Sequence, residues 1–135
     1  MYEATLRKLV QVGMSKFALG LPRWRVVMVD YETAFQNAFS NLFASLSLDE
    51  VTFRGCHFHY AQCIIRNVAL CGLKTQYKEP NSDVKSFVKE LIALAFVPVA
   101  LVTGVYERML RDVPQELHED ENFQRFLVYF EGTWL

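Results

Sequence analysis

Two short β-branched runs, RVVMV at residues 25–29 and VTFR at 51–54, constrain the fold of this chain more than anything else in it. Between them Ala34, Phe35, Ala38, Phe39, Leu42, Phe43 and Leu46 recur at the i, i+3, i+4, i+7 spacing of an amphipathic helix. Strands joined through a helix pair in parallel, since a hairpin has no room for one, and the crossover is right-handed in nearly all folds. The spacing therefore predicts adjacent parallel strands at 25–30 and 51–54, with helices at 31–46 and 57–72 packed against them.

The flanking segments read as helices. Leu6, Leu9, Val10 and Met14 form a stripe over residues 2–14 that Gly-Leu-Pro at 20–22 ends. The helix after the second strand places Phe58, Ala61, Ile65, Val68 and Ala69 on one face, and Gly72 stands where a helix commonly turns left-handed to finish. From Ser82 onward three helices are expected, at 83–95, at 98–111 with Pro98 as the first helical residue, and at 120–131 after the solvated start HEDE. KEPNSD at 78–83 is the one hinge-like stretch. The expected fold class is thus α/β, with a partial core of two short parallel strands and flanking helices over residues 1–78 and an all-helical segment over 79–135.

Composition narrows the function classes. With 135 residues, 52% of them hydrophobic and 21% charged, the chain can bury a core and is not of the disordered type. Fourteen basic residues against fifteen acidic leave a net charge of −1, which gives no support to tight nucleic-acid binding. Three cysteines, an odd number, argue against a disulfide-stapled secreted module. The apolar run LIALAFVPVALV at 91–102 is too short for a bilayer and Pro98 interrupts it. No basic–apolar–small leader follows Met1, so the expectation is an intracellular protein without a membrane partner.

Two places carry chemistry. Asp30 follows the first strand at its carboxyl end, where α/β folds put their ligands; the alternative is that it caps the helix starting near Tyr31. Glu32, in the first turn, reads as a dipole-compensating surface carboxylate directed away from Asp30. The stretch GCHFHYAQC brings Cys56, His59 and Cys63 onto one helical face, a three-ligand set for zinc that lacks a fourth member. Against this stands a packing role, with Cys56 and Cys63 as small buried residues and His59 hydrogen-bonded in the core. A nucleophilic Cys56 assisted by histidine is the third alternative, and no orienting acid for it is legible.

The blocks MVDYETAFQNAF, VTFRGCHFHYAQCIIRNV, GLKTQY, LIALAFVP and FLVYFEGTWL, with MYEATLRKL near the start, succeed one another as in the transposases of Mutator-like elements, which this chain resembles over nearly its whole length. The resemblance implies an RNase H-like fold in which three acidic residues hold two divalent ions, magnesium or manganese, for DNA cleavage and strand transfer at transposon ends. It makes Asp30 the second catalytic acid and Cys56 with His59 a family signature read as zinc-binding or core-organising. It makes the helices after residue 83 the family's insertion, and it implies the nucleus of a eukaryotic host. The match has departures. The first acid belongs to an Asp-Gly block upstream and the third to an Asn-Asn-x-x-Glu block after Phe-Glu-x-Thr-Trp, and Glu131 is not that residue. The amino-terminal zinc-finger region has no counterpart, and Cys63 stands where the family often has Ala. The expectation is a middle slice of a transposase domain, catalytically incomplete, with self-association through an exposed sheet edge. The rival is a domesticated, non-enzymatic module that binds protein partners through its helical half.

Overall fold

The computed structural model describes residues 2–16, 25–47 and 51–135. Strands β1 (Val26–Val29) and β2 (Thr52–Gly55) pair in parallel, Val26 opposite Thr52 and Val29 opposite Gly55, and form a two-stranded sheet. The ladder runs one residue beyond each end, Thr52 donating its N–H to Arg25 O at 2.9 Å and Cys56 to Val29 O at 2.8 Å. The expected α/β organisation is present at this level, in a chain that is otherwise mostly helical. Its described residues fall into two compact units, Met1–His59 and Tyr60–Leu135.

In the first unit, helix α1 (Tyr2–Lys16) lies on helix α2 (Thr33–Ser45), which connects the strands. The apolar stripe of α2 packs as its spacing implies. Ala38, Leu42 and Phe43 are buried, and Phe39 and Phe43 hold their rings 6.4 and 5.7 Å from that of Phe53 on β2. Ala34 alone of the stripe is exposed. Helix α1 buries no residue fully, and Leu9 and Met14 of the expected stripe are exposed; the Tyr2–Phe35 ring pair and the Arg7–Ser45 and Asn41–Glu3 hydrogen bonds are among the contacts that tie it to α2. The expected Gly-Leu-Pro stop at 20–22 lies outside the described residues.

The second unit carries the larger core. Helix α3 (His57–Leu70) enters it from Tyr60 onward with Tyr60, Ile64 and Val68 buried, and ends in a left-handed turn at Gly72, φ +88°. There Gly72 N–H donates to Ala69 O and Leu73 N–H to Val68 O, the paired bonds of a Schellman motif, with Val68 and Leu73 both buried beneath it. Of the expected apolar face of α3, Val68 is buried and Ala61 half-buried, whereas Ala69 is exposed, Ile65 is 40% and Phe58 63% exposed. The winning stripe includes Tyr60, whose hydroxyl donates to the Leu91 carbonyl at 2.7 Å and is therefore buried without an unmet polar group.

A short helix α4 (Lys74–Lys78) precedes helix α5 (Asp83–Ala93), and a 3₁₀ turn (Leu94–Phe96) leads to helix α6 (Val99–Asp112). A second short helix, α7 (Gln115–His118), precedes helix α8 (Glu121–Trp134). The two short helices are too brief to show a periodicity, and the sequence reading passes over both. Pro98 is the N-cap of α6 and not its first residue, its extended ψ of 135° suiting a position outside the helical wells. Ser82 caps α5 and Asp120 caps α8, the latter accepting from Asn122 N and Phe123 N. Phe87 and Phe123 meet edge-on at 5.1 Å, and Tyr106 and Phe130 lie tilted at 5.4 Å, within a core that runs from Tyr60 to Phe130. Residues 60–78 thus pack with the helices that follow, because the buried stripe of α3 and Leu73 belong to the same cluster as α5, α6 and α8.

Candidate functional site at the carboxyl ends of the strands

The parallel pairing brings the residues after β1 and β2 to one end of the sheet. Asp30 follows Val29 directly, and Cys56 follows Gly55 and precedes the first residue of α3. Both line a surface hollow of about 460 Å³ in the first unit, together with Glu32 and His59. Its remaining walls are the apolar Met28, Val29 and Phe35 and the ring of Tyr2. The location of Asp30 and the strand-to-helix position of Cys56 match the sequence expectation.

The local bonding differs from it. Helix α2 begins at Thr33, so Asp30 lies two residues before the N-cap Glu32 and does not cap the helix. Its Oδ1 instead accepts the Glu32 N–H at 3.2 Å, a local turn, while its carbonyl accepts from Gln36 Nε2 at 3.0 Å. Glu32 does not point away. The Tyr2 hydroxyl donates to its carboxylate, 3.0 and 3.1 Å from the two oxygens, and Glu32 shares the hollow with Asp30. That bond to a carboxylate, and then the charge of Glu32, hold the Tyr2 phenol above its ordinary pKa. Tyr2 also stands edge-on to Phe35, at a centroid distance of 5.3 Å and an angle of 88°.

Cys63 does not line the hollow. It lies half-buried in the second unit, its carbonyl accepting from Asn67 Nδ2 at 3.0 Å. His59 is exposed, which sets aside a core-buried imidazole, and all three cysteines are free thiols. Among the described residues no three His, Cys, Asp or Glu side chains come together as a metal site. A structural zinc takes four protein ligands, and paired magnesium or manganese ions take several carboxylates around centres about 4 Å apart. The described residues fit neither group, and no catalytic step through a metal follows from them. Asp49 and Glu50, which precede the second strand in the sequence, lie outside the described residues.

Glu32, Tyr2 and Phe35 are the members of this site that reading the chain as motifs misses. Phe35 belonged to the apolar stripe of α2, and Tyr2 comes from thirty residues away. Among the described residues no helix is long and apolar enough to cross a membrane. No family model, no curated protein and no solved structure matches the chain.

Proposed function

We propose that the chain is a segment of a Mutator-like transposase domain whose ancestral chemistry is the cutting and joining of DNA, and that the segment alone performs neither step. The observation that carries this reading is the joint placement of Asp30, Cys56 and His59 around one hollow at the carboxyl ends of a parallel strand pair. That is where an RNase H-like core would present its second acid and the Cys-x-x-His block. The succession of sequence blocks supports the same reading.

The segment offers Asp30 as a single family acid. Glu32, its neighbour in the hollow, already accepts the Tyr2 hydroxyl, and two-metal phosphoryl transfer needs more oxygen ligands than these. Two carboxylates in a hollow lined, among the described residues, by no Lys or Arg also repel a phosphate backbone, in keeping with a net charge of −1.

The reading frame around the coding sequence provides the test of ancestry. An in-frame Asp-Gly block upstream and an Asn-Asn-x-x-Glu block downstream are expected; flanking frames that encode neither would overturn the assignment. Incubating the purified chain with supercoiled plasmid in magnesium or manganese tests the second half. No nicking is expected, and metal-dependent nicking that Asp30→Asn abolishes would show that the segment holds a working site.

A further inference from the structure

We draw no further inference here: the strongest candidate, the acidic hollow of the second unit that Glu79, Asp83, Glu116 and Asp120 line beside the buried Gln76 Oε1, carries nothing, because no three ligand side chains among the described residues come together to hold an ion and nothing in the structure shows what would occupy it.

Discussion

Two tyrosines in this chain report on carboxylates, and both make the same kind of statement about pH. Tyr2 donates to Glu32, and Tyr106 donates to Glu131 at 2.9 Å from a largely buried position in the second unit. The Tyr2 phenol is raised first by its hydrogen bond to Glu32 and then by that residue's charge. Replacing Glu32 by Gln removes the charge and weakens the acceptor, so the Tyr2 pKa should fall back toward the ordinary value of about 10, which a ¹³C NMR titration of the tyrosine Cζ resonances would read. For Tyr106 burial is the leading cause, followed by the bond to and charge of Glu131, and together they raise the phenol well above its ordinary range. A folded pKa above the unfolded one means that the unfolded chain releases its proton first. The contribution is therefore fully present below about pH 10 and is lost as pH rises through the folded value. The urea midpoint should drop as pH rises above about 10, and Tyr106→Phe should flatten that drop. An equal fall in the variant would assign it to other groups.

At the scale of elements, helix α3 shows how far a sequence pattern reaches. The stripe read from the sequence and the buried one share Val68 but part at Phe58 and Ile65, which are exposed where Tyr60 and Ile64 are buried. Packing chose the latter pair, since the Tyr60 hydroxyl finds the Leu91 carbonyl and the ring then covers Trp134 edge-on at 4.8 Å. No local reading supplies a partner thirty-one residues away. The same limit hid Tyr2 and Glu32 from the site, whereas Asp30 was legible because it follows a β-branched run directly, and Cys56 because of its spacing to His59. Gly72 was legible too, as its place after a periodic stripe fixes its job. Two measurements follow from this packing. Ile64→Ala, at a position with no exposure, should cost about 2–5 kcal/mol in chemical denaturation, and Ile65→Ala, 40% exposed, distinctly less. Gly72→Ala must hold a side chain at φ +88° with its Cβ 3.2 Å from the Asn122 side chain, and a loss of about 1–2 kcal/mol is expected. Near-equal effects of the two isoleucine substitutions would contradict the assigned face.

On the scale of the whole molecule, the second unit encloses its core from Tyr60 to Phe130, while in the first unit the described residues cover the sheet on the α2 side. Val29 is buried, and Val27 and Phe53 are half-buried, on the side that α2 packs against, as the Phe39 and Phe43 contacts with Phe53 show. Alternation along the strands puts Val26, Met28, Thr52 and Arg54 on the opposite face, where Val26 is 50% and Met28 66% exposed. Among the described residues no strand pairs with the outer edge of β1, which adds to this. Arg25 O and Val29 O are taken up by Thr52 and Cys56, and in a strand the backbone groups of alternate residues turn to the other side. Those of Val26 and Met28 therefore face the edge that β2 does not occupy. The strand sequence VVMV carries no charge or proline to discourage pairing. A second copy meets that edge without like-charge repulsion along the strand, and antiparallel pairing about a two-fold axis would set Met28 and Val26 of each copy side by side. Sedimentation of the purified chain is expected to show concentration-dependent association. Met28→Lys places a cation on the open face opposite Arg54 and next to its symmetry mate, so it should return the chain to a monomer without shifting the denaturation of the second unit. A wild-type chain that stays monomeric throughout, or a variant that associates as strongly, would refute strand pairing as the contact.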